Sequence, residues 1–312
     1  MVGKLAKLGL GCWVFGEDWY WGKQSHKDSI KTIQAALRGG IKHFDTARSY
    51  SNGRSEQVTG QQLKKDRKSV ILTTKTTWLP AESVEKYIDI SLNRLCTDYI
   101  DILYIHWPDS KKDFRPMMEA LEKIRETGKI KHIGISNFSI PDMELLKGLG
   151  KIDYYQTGYS LIWRFPEKEI IPYCVENGIK IISYSSLAQG ILTDKFDISK
   201  KFLSDDPRNK LAFFYNDTIK YVDTFLKAFS TIAESSEISI SKMALFWSLK
   251  RPWMDTVLVG SRNREQIEDN IAALKIDPGS EVMLKITALS DELLANMPLR
   301  DNIFNHNPSG HS

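Results

Sequence analysis

The chain has 312 residues, of which 42% are hydrophobic and 26% charged, and its formal net charge is +4. These values exclude a disordered or fibrous chain and describe a globular protein long enough for a sizeable core. The basic residues are scattered, so the slight excess suggests at most an anionic small ligand; neither nucleic acid nor a membrane is an expected partner. No signal peptide and no apolar run of membrane-spanning length is apparent. Cys12, Cys96 and Cys174 are odd in number and widely spaced. They match no metal pattern and suggest a reducing, cytoplasmic setting. Glycosylation-like triplets at Asn137 and Asn216 are then chance matches.

Taken in order, the chain alternates strand-like and helix-like runs. A first strand is expected at residues 4–10, leading into Gly11, Cys12 and Trp13, followed by an aromatic loop at 13–22. A helix from about 27 is stopped by Gly39-Gly40, since Ile30, Ile33, Ala36 and Leu37 recur at helical spacing. Strands follow at 41–45, 70–75, 99–106, 131–136, 154–159, 180–184 and 256–259. Helices are expected from about 55, at 81–95, 115–127, from Pro141, and at 166–177, 218–234, 241–249, 264–273 and 280–294. A long irregular stretch occupies about 187–217, and a polar tail starts near 300. Eight strand-helix units with mostly short connections predict one α/β domain, a closed (β/α)8 TIM barrel. A doubly wound open sheet is the alternative, but Gly9 and Gly11 are followed by Val14 where a dinucleotide fingerprint needs a third glycine.

Three strand-like runs end in ionisable groups. IKHFD ends in Asp45, with Tyr50 five residues on; VILTTK ends in Lys75; YIDILYIH ends in His106. One such ending is commonly a helix cap. Four on successive units are a different matter, because parallel barrel strands converge at one mouth.

At these residues the chain resembles the aldo-keto reductases. GLGCW, FDTARSY with GRSEQVTG, LTTK, DILYIHWP, IGISNF, SYSSLAQGILTDKF and VLVGSRNREQIEDN follow in that family's order. The likeness covers nearly the whole length and is closest in pattern to bacterial members and potassium-channel β subunits. Ser186 stands where the family's loop usually has Pro, and Gly260 where some steroid-reducing members have Lys. Few residues precede the first strand, so the usual hairpin plug at the barrel bottom is expected to be short or replaced.

The resemblance implies a nicotinamide cofactor, NADP(H), at the C-terminal mouth, and a small carbonyl substrate. Hydride delivered to a carbonyl carbon leaves an alkoxide that needs a proton. Tyr50 would be the general acid, its phenol lowered from about 10 by a nearby Lys75 ammonium that Asp45 holds. His106 would orient the carbonyl oxygen. Gly11, Cys12, Trp13 and Asp45 border the cofactor in this reading. Tyr184 would stack on its nicotinamide, and Ser136, Asn137 and Gln156 would meet the carboxamide. The loop Ser185, Ser186, Leu187, Ala188, Gln189 and Gly190 would carry the pyrophosphate, with Lys195 and Arg208 neutralising it. Gly260, Arg262, Gln266, Asp269 and Asn270 would hold the adenosine end, with Arg262 on the 2′-phosphate. Trp13, Trp19, Tyr20, Trp21, Trp78 and Trp107 are expected to line the substrate pocket with Tyr50 and His106. No metal is expected, and a homo-oligomer is compatible. A slow, cofactor-bound regulatory subunit and a sugar dehydrogenase remain alternatives to a carbonyl reductase.

Overall fold

The computed structural model describes residues 7–16, 22–198, 206–300 and 302–304. Eight parallel strands close into a barrel in chain order. They are β1 Lys7–Gly11, β2 His43–Asp45, β3 Ile71–Thr76, β4 Ile100–Ile105, β5 Ile130–Ser136, β6 Tyr154–Gly158, β7 Lys180–Tyr184 and β8 Met254–Gly260. Closure is made by β8 on β1, with Lys7 opposite Thr256 and Gly11 opposite Gly260. From Lys7 to Gly11 the first strand lies where it is expected; residues 1–6, which hold its expected start and on which the question of a bottom plug turns, lie outside the described residues.

The helices among the described residues are α1 His26–Arg38, α2 Arg54–Leu63, α3 Ala81–Arg94, α4 Arg115–Glu126, α5 Ile140–Leu146, α6 Ile170–Glu176, α7 Ile219–Ser235, α8 Ile240–Leu249, α9 Arg264–Ala272 and α10 Ser280–Asn296. Several starts have a clear local cause. Ser25 caps α1, and Ser139 forms a reciprocal capping box with Asp142 at α5 beside Pro141. The helix expected from residue 166 begins later, at Ile170, after a short 3-10 turn at Phe165–Glu167. Pro172 explains the shift, because a residue without an N–H is tolerated only in a helix's first turn. Glu167 is meanwhile held by Arg164 at 2.7 Å and by the Tyr159 hydroxyl at 2.5 Å.

Two apolar layers result. Ile102, Tyr104, Tyr154, Ile182 and Leu258 fill the barrel interior. The alternate strand residues, such as Leu103, Ile105, Ile133 and Ile135, face the helices in a much larger shell. Burial on both faces is what near-continuous β-branched runs require. No described helix is long and apolar enough to cross a membrane.

Gly60 shows how tightly the shell is closed. A Cβ there would sit 2.4 Å from the backbone of Leu95, at the end of α3. Alanine is the better helix former by about 1 kcal/mol, so propensity alone favours substitution. Overpacking costs about 1–3 kcal/mol and here has only backbone to push against. Gly60→Ala is expected to lower stability, measured as the urea midpoint; a midpoint unchanged or raised would show that α2 can move away.

Candidate active site

Asp45, at the end of β2, is 4% exposed. Its Oδ2 accepts from Thr73 Oγ1 at 2.7 Å and from Gln156 Nε2 at 2.9 Å, while Oδ1 is paired with the Lys75 ammonium. Lys75 is 1% exposed and also donates to the Thr46 carbonyl at 2.8 Å and to the Tyr50 hydroxyl at 3.3 Å. The buried carboxylate and ammonium thus have partners on every side, the condition for keeping charges inside a protein.

The loop between β2 and α2 aims Tyr50 back at this pair. Ser51, Asn52 and Gly53 all have positive φ, at 47°, 53° and 85°, which turns the chain sharply. Gly53 also lies under the Arg94 guanidinium, 2.0 Å from where a Cβ would stand, so glycine is needed there twice over. Ser55 Oγ donates to the Cys12 carbonyl at 2.7 Å, and Glu56, wholly buried, accepts from Thr74 at 2.7 Å and from Arg94 at 3.3 Å. The GRSE run anchors the loop from beneath. Tyr50 then lies 5.9 Å from the Trp13 ring and 5.7 Å, edge to face, from the His106 ring.

Burial shifts each group. It works to lower Lys75, but the Asp45 charge and the hydrogen bonds outweigh it and hold the ammonium protonated. It raises the Tyr50 phenol; Lys75 pulls the other way and Asp45 adds to the rise, and the balance lies above the ordinary value. The expected lowering of Tyr50 is therefore corrected: the ammonium has the expected sign, but desolvation is larger. Burial, then the Lys75 charge, drives His106 well below its usual range. At neutral pH the mouth presents a protonated phenol and a neutral imidazole.

A cavity of about 1250 Å³ opens over these groups. That exceeds the roughly 300–1,000 Å³ of common small-ligand pockets and suits an extended ligand. Near the tetrad its wall takes in Gly11, Trp13, Asp45, Tyr50, His106 and Trp107. Ser136, Asn137, Gln156 and Tyr184 follow from β5 to β7. Asn137 accepts from the Tyr184 hydroxyl at 2.6 Å and donates to the His106 carbonyl at 3.2 Å, which ties three strand ends together. Ser185, Ser186, Leu187, Gln189, Gly190 and Lys195 form the next stretch. Ser185, Ala188, Gln189 and Gly190 have positive φ there, and Gln189 Oε1 is buried without a partner. Gly260, Arg262, Gln266, Asp269 and Asn270 complete the far end.

Other expected residues sit elsewhere. Lys75 stands behind Asp45 and Tyr50 rather than in the cavity wall. The Cys12 side chain points into the core, where burial pushes its thiol up to about 12, and Ala188 is also buried. Arg208 is held by Asp206 and does not reach the cavity lining. Trp78 does not line this cavity: its indole N–H donates to the Asp113 carbonyl at 2.8 Å and Lys112 lies 4.4 Å over its ring. Trp19, Tyr20 and Trp21 lie outside the described residues.

The sequence reading missed Phe304. Its ring sits 6.2 Å from Trp13, 6.0 Å from Trp107 and 6.2 Å from Tyr184, nearly parallel to the last. The segment is held by the Ala212 amide donating to the Ile303 carbonyl at 2.9 Å. Adjacent Ile303 and Phe304, in a run otherwise polar, were the only available signal. Asn263, which caps α9 through the Gln266 amide at 3.0 Å, and Glu265 also line the cavity.

A closed eight-stranded parallel barrel carrying Asp, Tyr, Lys and His at one mouth defines a class of barrel oxidoreductase, and comparison with known proteins makes the assignment. The chain belongs to the aldo/keto reductase family, which it matches over residues 7–291. It is 35% identical over 277 residues to the aldo-keto reductase YhdN of Bacillus subtilis, covering 84% of this chain and 83% of that one. It is 33% identical over 299 residues to an NADH-specific methylglyoxal reductase of Escherichia coli, covering 88% and 91%. Among solved structures it resembles the glycerol dehydrogenase AKR11B4 of Gluconobacter oxydans, with a TM-score of 0.82, 28% identity and coverage of 95% and 94%. The family uses nicotinamide cofactors. The cavity fits one: an orphaned buried Gln189 oxygen, the glycine-bordered loop after β7 and Arg262 are spread along its length.

Proposed function

We propose that the protein reduces an aldehyde or ketone to an alcohol with NADPH, Tyr50 giving the proton. The observation that carries this reading is the Tyr50 hydroxyl, 3.3 Å from the Lys75 ammonium and beside a neutral His106 in the cavity wall. The cofactor supplies hydride when bound. Tyr50 holds the proton the alkoxide needs, and Lys75, fixed by Asp45, stabilises the phenolate left behind. His106, uncharged, donates a hydrogen bond to the carbonyl oxygen and sets its direction. Trp13, Trp107 and Phe304 surround the substrate with apolar surface and keep water away. NADPH consumption against aldehydes, dicarbonyls, aldoses and cyclic ketones tests the reading; no turnover with any of them would overturn it.

NADPH is proposed over NADH because of Arg262. It lies in the turn before α9, donates to the Lys23 carbonyl at 2.9 Å, and has no carboxylate in ion-pair range among the described residues. Arg264, two residues on, is instead occupied by Glu268 at 2.7 Å. A guanidinium on a phosphate contributes roughly 1.5–3 kcal/mol, on the order of 10- to 100-fold in affinity. Arg262→Ala is expected to weaken NADPH by that factor and leave NADH nearly unchanged, read by titrating both cofactors. A wild type that prefers NADH, or equal weakening of both, would reject the assignment.

A further inference from the structure

We propose that a second, smaller cavity beside the mouth is a subsite for an anionic group of the carbonyl substrate, a carboxylate or a phosphate. The inference rests on the carbonyl-reductase reading above and names its substrate class. This cavity, of about 290 Å³, is walled by Arg48, Ser49, Asn52, Thr76, Thr77 and Arg94. Ser49 lines the main cavity too, so the two share a wall at the residue before Tyr50. Thr76 ties the subsite to the other side of the tetrad: it follows Lys75, and its carbonyl accepts from the His106 amide at 2.9 Å.

Every lining side chain can donate a hydrogen bond, and none is acidic. Arg94 is charge-balanced by Glu56 at 3.3 Å, behind the wall. Arg48 is not balanced: no carboxylate lies in ion-pair range of it among the described residues. Its guanidinium is held in place instead. It stacks 3.9 Å from the Tyr87 ring centroid, and one N–H donates to Thr76 Oγ1 at 3.3 Å. A guanidinium has five donors in a fixed fork, so this leaves several for a ligand. A half-buried cation, pre-oriented and without a counter-charge, is stabilised by an anion from solution. The planar fork suits carboxylate or phosphate oxygens and gains nothing from a neutral aldehyde.

The experiment compares matched probes at saturating NADPH. 4-Carboxybenzaldehyde and its methyl ester form the carboxylate arm; glyceraldehyde 3-phosphate and glyceraldehyde form the phosphate arm. Wild type is expected to show the lower KM for the charged member of at least one pair, and the arm that responds identifies the anion. Arg48→Ala should raise that KM about tenfold and leave the neutral partner's KM unchanged, with Arg48→Lys in between. Equal KM values within both wild-type pairs, or equal shifts of charged and neutral probes, would overturn the subsite. Calorimetric binding of terephthalate to the NADPH-loaded protein separates this from the reading it rests on, because terephthalate has no reducible carbonyl. If no aldehyde turns over, the reductase reading fails on its own, and the calorimetry decides the subsite: affinity about tenfold weaker in Arg48→Ala sustains it, and unchanged affinity rejects it.

Discussion

Tyr50→Phe is expected to lower carbonyl reduction by about 10²–10⁴-fold, the usual contribution of a positioned general acid. The substitution deletes one oxygen. It leaves the Asp45–Lys75 pair, its bonds to Thr73, Gln156 and Thr46, and the ring contacts with Trp13 and His106. Fold and cofactor affinity should therefore persist, and the loss should appear in kcat. The pH profile carries the second half of the expectation. Burial holds the phenol above its ordinary value, so Tyr50 stays protonated through neutral pH. His106, driven well below its usual range, stays neutral over the same span. Reduction by the wild type should be flat from about pH 7 to 9 and fall only above the ordinary phenol pKa of about 10. More than about a tenth of wild-type turnover in Tyr50→Phe, with a deuterium isotope effect showing hydride transfer to be rate-limiting, would remove Tyr50 from the proton-donor role.

Acid should destabilise the protein through His43, two residues before Asp45 and 2% exposed in β2. Both of its ring nitrogens are buried without a partner. Burial pulls its pKa from 6.5 down to about 4, with the nearby Asp45 and Asp255 charges resisting and Lys7 and Lys75 assisting. The unfolded chain, with its ordinary histidine, takes up the proton first. Stability is thus untouched above about pH 6.5, is lost as pH falls from 6.5 towards about 4, and levels off below. A tenfold difference in proton affinity between the folded and unfolded chain is worth about 1.4 kcal/mol, so the loss approaches about 3 kcal/mol in all and about 2 kcal/mol by pH 5. His43→Leu removes the titration together with both unpartnered ring nitrogens. Urea unfolding at pH 7 and pH 5 should show the difference between the two shrink by about 2 kcal/mol in the variant. The same loss in His43→Leu as in wild type would place the acid sensitivity elsewhere.

Much of the architecture was legible in the sequence because it is local. Strand-helix alternation follows from hydrophobic period, and a first-turn proline such as Pro141 marks a helix start to within a residue. The tetrad was legible for a related reason. In a parallel barrel every strand runs the same way, so the residue ending each strand-like run must arrive at one rim. Asp45, Lys75 and His106 could be placed together from three separate runs without knowing a distance.

Only the tertiary structure decided what depends on competition or on distant packing. The direction of the Tyr50 shift is a balance between an ammonium 3.3 Å away and the burial of the phenol, and burial is a property of the whole mouth. Trp78 and Trp107 read alike in sequence, each after a strand end, yet one packs on Asp113 and Lys112 while the other meets Phe304. Phe304 itself reaches the mouth from the far end of the chain, in a segment whose Ile303 carbonyl is bonded to the Ala212 amide, a contact no periodicity encodes. Arg208 reads as a cation for phosphate until Asp206 is seen to hold it, whereas nothing in the sequence singles out Arg48, which only the fold shows to have no carboxylate in ion-pair range among the described residues. Charge in a sequence is a count; whether it is neutralised depends on which side chains the fold brings within a few ångströms.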